Sequence, residues 1–327
     1  MTLKNFFIIF GTLISVVLLI IVFSDLDWQA FFTALKTVRL PELLLAGAVI
    51  IINIALRSLR WNLVAREPLT KFKYFWQAAS IGYLGNMIYP LRAGEALRIV
   101  AIHHFAPLTL GRAVTSAVID RMLDMIVVGA FTMLVLWLHG HKIDPDIGRG
   151  VIGIFIIAMV VLILLTVFAD YLHTLVQRFV TQSKWQRLLQ EWLLHALEGI
   201  QAFHHAHNVL IVMSLTIFIF LLDYFWMWQL MAAFGWDLPF EAGLTVGVFI
   251  LLGISLPSAP GYIGIYQAAC VLALGLYGID QTLAVAYSIV LQLLSFAIIG
   301  IQGVLVIVFC GFNLSKERQA DLSHISP

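Results

Sequence analysis

Within NMIYPLRAGEALR, Asn86 to Arg98, the charged residues Arg92, Glu95 and Arg98 stand close together beside Pro90 and Gly94. A guanidinium presents a planar fork of N–H donors that holds phosphate oxygens bidentately. A helix start adds unpaired backbone N–H groups and the positive end of a dipole. Proline and glycine break the first helix here, so a second begins near Gly94 with Arg92 just before its N-terminus. That combination suits a phosphate. Glu95, in the first turn, has two readings: it holds Arg92 by local pairing, or it binds a cationic headgroup or a proton. Arg98 shares its face. The bland alternative is a self-satisfying Arg-Glu-Arg cluster that only shapes the break. Asn86, ending the preceding helix, reads as a cap or a ligand contact.

Further charges lie in otherwise apolar runs. Asp120 and Asp124 are spaced i, i+4 on one helical face with Arg121 beside them. Their DxxxD spacing resembles a diphosphate-binding motif, but it occurs without a second copy, and pairing with Arg57 or Arg60 is the preferred reading. Asp223 falls near the middle of a long apolar run and reads as a proton site or a hydrogen-bonded structural acid. His103, His104, His195, His204, His205 and His207 lack an HExxH frame or carboxylate companions, so no metal is expected. Neither a GxxxxGK[ST] loop nor a Ser-His-Asp arrangement is legible. No cofactor and no enzymatic activity are therefore expected.

These residues sit in a chain that is 61% hydrophobic and 11% charged, with a mean hydropathy of +0.98. A soluble domain carries about a quarter charged residues. The chain reads as an all-α integral membrane protein. Its formal net charge of +1 gives no electrostatic footprint for nucleic acid. Cys270 and Cys310 both lie in apolar runs, which argues against a disulfide framework.

Six segments look able to cross a bilayer: Phe6–Phe23, Leu43–Leu63, Ala113–Leu138, Val151–Ala169, Val209–Trp236 and Thr282–Phe312. Phe6–Phe23 reads as a retained helix, since no small-x-small cleavage site follows it. Two other apolar stretches are interrupted: Phe72–Ile102 by YPLRAGE and Ala242–Gly278 by LPSAPGYIG. Arms of about fifteen residues span about 22 Å, short of the ~30 Å hydrocarbon core. Each stretch is expected to be a re-entrant helical hairpin. Amphipathic connectors follow the first span (Trp28, Phe31, Phe32, Leu35) and the fourth (Trp185 to Phe203), fitting helices in the interface plane. With the N-terminus inside, inner connectors hold nine lysines and arginines against four outside, which favours both termini being cytoplasmic.

The two broken stretches resemble each other. Each runs Leu-Gly, a short apolar segment, then Pro-x-x-x-Gly, aligning Pro90 and Gly94 with Pro257 and Gly261. Residues 1–138 and 139–312 then form two three-span repeats, each with one hairpin, before a tail at 313–327. A shift of three spans inverts one half relative to the other. Inverted repeats with interrupted helices characterise transporters, whose substrate site lies where the breaks meet.

Three stretches carry a family likeness: RSLRW at Arg57–Trp61, NMIYPLRAGEALR together with RAVTSAVIDRMLD at Arg112–Asp124, and LPSAPGYIGIYQAA at Leu256–Ala269. In these the chain resembles the lysylphosphatidylglycerol synthase transmembrane domain family, also called the flippase-like domain family. The resemblance implies a lipid translocase-like module in a cytoplasmic membrane, sometimes fused to a headgroup-modifying enzyme. It does not extend to an aminoacyl-transferase domain, so synthase activity is not carried over. Many relatives have a glutamate after the second Pro-Gly, where this chain has Tyr266-Gln267.

The expected function is movement of a phospholipid or a polyprenyl-phosphate type lipid between leaflets. Arg92, Glu95 and Arg98 meet the headgroup, with Asn86 and Gln267 as further contacts. Pro90, Gly94, Pro257, Pro260, Gly261 and Gly264 shape the site, and Arg57, Arg60, Asp120, Arg121, Asp124 and Asp223 form a supporting network. The alternatives are a membrane enzyme acting on a lipid phosphate and a non-transporting partner of a separate lipid or glycan synthase.

Overall fold

The computed structural model describes residues 3–89, 92–106, 108–142, 206–255 and 259–310, with isolated positions between 146 and 157. Every regular element among them is helical. The expected span Val151–Ala169 (apart from isolated positions), most of the connector after it, the tail 313–327, Pro90 and Pro257 lie outside the described residues.

Helix α1 (Leu3–Phe23) leads into α2 (Trp28–Lys36) through a 93° bend. Asp27 sets that bend by capping α2, its carboxylate accepting from the Gln29 and Ala30 N–H groups at 2.9 and 3.0 Å. The aromatic face of α2 divides, with Phe31 buried while Trp28 and Phe32 stay exposed. Helix α3 (Leu40–Val64) opens with Pro41 in its first turn, where a missing N–H breaks no helical hydrogen bond.

Helices α4 (Phe72–Ile88) and α5 (Gly94–Phe105) run antiparallel in close contact, with Gly82 against Arg98 and Gly85 against Leu97 and Gly94. A Cβ on Gly94 would fall 1.9 Å from the Gly82 carbonyl oxygen, so only glycine permits this approach. Small residues are what let helix backbones pack this closely in membranes. Helix α6 (Leu110–His139) is capped by Thr109. Helix α7 (Ala206–Ala233) stops short of the span end expected at Trp236. Gly235 turns the chain at φ 77° and the Trp236 N–H returns to the Met231 carbonyl at 3.1 Å. Phe234 and Trp236, apolar but beyond the helix, stack on Tyr287. Helices α8 (Phe240–Gly253) and α9 (Ile265–Gly275) form a second helical pair, followed by α10 (Gln281–Cys310).

Helices α3, α6, α7 and α10 are each long and apolar enough to cross a membrane, and the bent α1–α2 pair can supply a fifth crossing. Large apolar side chains such as Ile20, Leu44, Leu293 and Val308 stand exposed along them, as a lipid solvent allows. The chain is a multi-pass membrane protein.

Packing between elements is paired. Helix α3 lies along α7, α4 packs on α10, and α6 packs on α8; α5 also touches α6, and α9 also touches α10. The largest buried cluster joins Leu230 and Met231 of α7 to Ala284, Tyr287 and Leu291 of α10. A second surrounds Trp61, whose ring meets Phe75 edge-on at 5.0 Å and whose indole N–H donates to Ser116 at 3.0 Å.

Candidate functional site

Arg60 on α3 is fully buried. Its Nε donates to Asp120 Oδ1 at 2.9 Å, and its Nη1 donates to Asp124 Oδ1 at 2.6 Å. Both aspartates project from α6, where the i, i+4 spacing puts them on the face turned to α3. Arg98 on α5 reaches the same pair: Nη1 meets Asp120 Oδ2 at 3.1 Å, and Nε meets Glu95 Oε2 at 2.9 Å. Arg121 bridges Asp120 Oδ2 at 3.1 Å, Asp124 Oδ2 at 3.0 Å and Glu95 Oε2 at 3.7 Å. Arg57, one turn before Arg60, pairs with Asp223 of α7 and lies 3.8 Å from Asp124 Oδ1. Its Nε donates to Asn53 Oδ1 at 2.9 Å, and its guanidinium sits over the Phe220 ring. Buried charges persist only when paired and hydrogen-bonded, and these eight satisfy that condition together.

The second tip is held differently. The Gly264 N–H donates to Gln267 Oε1 at 2.7 Å, Gln267 Nε2 to Gln292 Oε1 at 2.8 Å, and Gln292 Nε2 to the Gly261 carbonyl at 2.7 Å. This buried amide chain joins the start of α9 to α10. The Ala259 N–H donates to Ser15 Oγ of α1 at 3.0 Å.

The two tips meet. Arg92 Nη2 donates to the carbonyl of Ile254, the residue ending α8, at 2.9 Å. A cation at a helix C-terminus satisfies orphan carbonyls and offsets the negative dipole end. Arg92 also lies beside Tyr262. Both residues hold positive φ, at 54° and 56°, a conformation that costs a non-glycine residue about 1–3 kcal/mol. Among the described residues Arg92 has no carboxylate partner.

A cavity of about 360 Å³ opens at this junction, within the size range of ligand pockets, about 300–1,000 Å³. Arg57, Arg92, Arg121, Glu95, Asp124 and Asp223 line its polar part. Phe220, Trp226, Phe296, Ile250 and Ile299 line its apolar part. The exposed residues Arg92, Met125 and Ser255 belong to its wall, so it reaches the outside of the bundle where α6 faces the end of α8.

Of the residues singled out in the sequence, Asn86, Arg92 and Glu95 border this cavity, joined by Arg57, Arg121, Asp124 and Asp223. Arg98, Arg60 and Asp120 stand behind it as the buried support of Glu95 and Arg121. Gly94, Gly261, Gly264 and Gln267 build the tips rather than the wall, and Pro260 opens the short 3₁₀ turn of the second tip. Four tyrosines of the wall, Tyr83, Tyr224, Tyr262 and Tyr266, were not legible as site residues. Tyr224 follows Asp223 directly and Tyr83 lies one turn before Asn86. Their adjacency to polar candidates was the only available signal.

The deciding comparison is with a family model described as the lysylphosphatidylglycerol synthase TM region, which matches residues 8–303. The chain belongs to that family. Two curated relatives, both called UPF0104 membrane protein and both from Methanothermobacter thermautotrophicus, are similar along most of their length. One is 21% identical over 306 residues, covering 87% of this chain and 90% of the relative. The other is 18% identical over 298 residues, covering 85% and 87%. The family's matched region contains every residue of the cavity wall.

Proposed function

We propose that this protein moves a phosphate-bearing lipid, or a lipid-linked substrate, between the leaflets of a cytoplasmic membrane. The observation that carries the reading is Arg92. It is a guanidinium with no carboxylate partner among the described residues, on the wall of a cavity where two helix breaks meet in a membrane protein. Charges within membrane segments are costly, and they mark substrate paths by default.

In this reading α4–α5 and α8–α9 are re-entrant hairpins entering from opposite leaflets. Residues 1–138 and 139–312 are inverted repeats, and both termini are cytoplasmic. The paired packing supports it: α4 against α10 has its counterpart in α8 against α6, while α3 and α7 pack on one another, as a two-fold relation between halves would require. The headgroup sits on Arg92 while acyl chains leave between α6 and α8 past Met125. Alternate exposure then comes from one half rocking against the other around the tips.

The test is headgroup exposure in proteoliposomes. Arg92→Ala is expected to leave a folded, inserted protein that has lost lipid movement, and Arg92→Lys to restore it only partly, because a point charge replaces a fork. Normal flux by Arg92→Ala with a lowered melting temperature would make the cluster a structural clamp and end the proposal.

A further inference from the structure

We infer that the cavity selects a headgroup with a single negative charge and uncharged hydroxyls, that is, a phosphodiester of a polyol. It disfavours phosphate monoesters and amine-bearing headgroups. The inference rests on reading the cavity as a headgroup site.

Charge balance is the first support. Arg57, Arg60, Arg98 and Arg121 are matched by Glu95, Asp120, Asp124 and Asp223, every carboxylate touching at least one arginine. That set is formally neutral. The helix ends at the tips also offset one another, since α5 and α9 bring N-termini while α4 and α8 bring C-termini. Arg92 remains, held by a carbonyl and a tyrosine. The junction therefore carries one uncompensated positive charge. A phosphodiester supplies one negative charge. A monoester, whose second pKa is about 6, brings closer to two and leaves the site negative.

The carboxylates are the second support. An ammonium headgroup needs an acid to meet it. Asp120 and Asp124 have both oxygens committed to arginines. Asp223 holds Arg57, and Glu95 holds Arg98 and Arg121.

The third support is neutral hydrogen-bonding capacity left open. The Tyr224 hydroxyl belongs to a fully buried residue and has no hydrogen-bond partner among the described residues; Asn86 Oδ1 is in the same position. Both residues line the cavity. Buried polar groups are ordinarily satisfied, so a hydroxyl-bearing ligand that donates and accepts there completes the wall.

The experiment is retention by native mass spectrometry of the full-length protein in detergent. Dioleoyl phosphatidylglycerol, phosphatidic acid and phosphatidylethanolamine are offered in equal amounts, with soluble glycerophosphoglycerol as competitor. Phosphatidylglycerol is expected to be retained about tenfold over the other two, the range of a hydrogen bond to a charged group. Glu95→Gln raises the site by one positive charge and should move the preference toward phosphatidic acid. Tyr224→Phe should lower the advantage of phosphatidylglycerol over phosphatidic acid at unchanged fold. Arg92→Gln, which keeps a donor for the Ile254 carbonyl, should make phosphatidylglycerol and phosphatidylethanolamine equal. Displacement by glycerophosphoglycerol at stoichiometric amounts supports the charge rule and assigns the headgroup to a soluble source. Equal retention of all three lipids by the unaltered protein, or an unchanged ratio in Glu95→Gln, overturns the inference. Either result leaves lipid movement itself intact, which fails separately if Arg92→Ala transports normally.

Discussion

Arg92 and Arg98 belong to one short segment and read alike in sequence, yet they occupy opposite environments. Arg98 turns inward to Asp120, stacks over Trp61 at 4.8 Å and is buried. Arg92 stays at the tip with a backbone carbonyl. The difference comes from where α5 crosses α6, and no local pattern announces that crossing. The expected pairing of Asp120 and Asp124 with arginines of α3 is different, because a helix bearing two acids on one face needs a basic neighbour and RSLRW offers one. Arg60 is the clearest test of this network. Arg60→Leu would leave Asp120 and Asp124 short of a partner in the most buried part of the bundle. Breaking a buried pair by removing one member costs about 3–5 kcal/mol. A large fall in the detergent melting temperature is expected. An unchanged melting temperature would mean that Arg98 and Arg121 carry the two acids unaided.

Helix boundaries were largely legible because apolar runs and Pro/Gly breaks are local signals. The expected span at Leu43–Leu63 corresponds to Leu40–Val64, and the broken stretch at Phe72–Ile102 corresponds to helices ending at Ile88 and starting at Gly94. What the sequence hid was how tightly the arms approach. Gly82 and Gly85 look like ordinary membrane-helix glycines until Gly94 is seen against them. Gly94→Ala should push α5 off α4, since its Cβ would collide with a carbonyl rather than a yielding side chain. Overpacking costs about 1–3 kcal/mol where side chains can shift, and a backbone collision belongs at the upper end. Melting temperature and lipid retention should fall together. Gly140→Ala, with open space around its Cβ, is the matched control and should change neither.

At the scale of the whole molecule, the packing of α4 on α10 and of α6 on α8 ties each tip to the opposite half. The cavity is therefore a property of the pair of halves, which explains why its tyrosine wall could not be assembled from either repeat alone. If the halves are inverted, the two hairpins must open to opposite sides, and accessibility can decide it. With Cys270 and Cys310 replaced, single cysteines at Leu69 and Leu110 should react with an impermeant thiol reagent only after permeabilisation. Those at Thr37, Asp237 and Ile279 should react in intact cells. These positions flank the hairpins and the long helices in loops or first turns, so labelling reads sidedness rather than burial. A cysteine at Tyr89, beside the first tip, separates re-entrance from crossing. A re-entrant tip lies short of the far surface and should label slowly from either side. A full crossing would label it from outside as fast as Thr37. Labelling of Leu69 and Asp237 from one side would remove the inverted arrangement, and with it the physical reason for two half-helix tips to meet around one arginine.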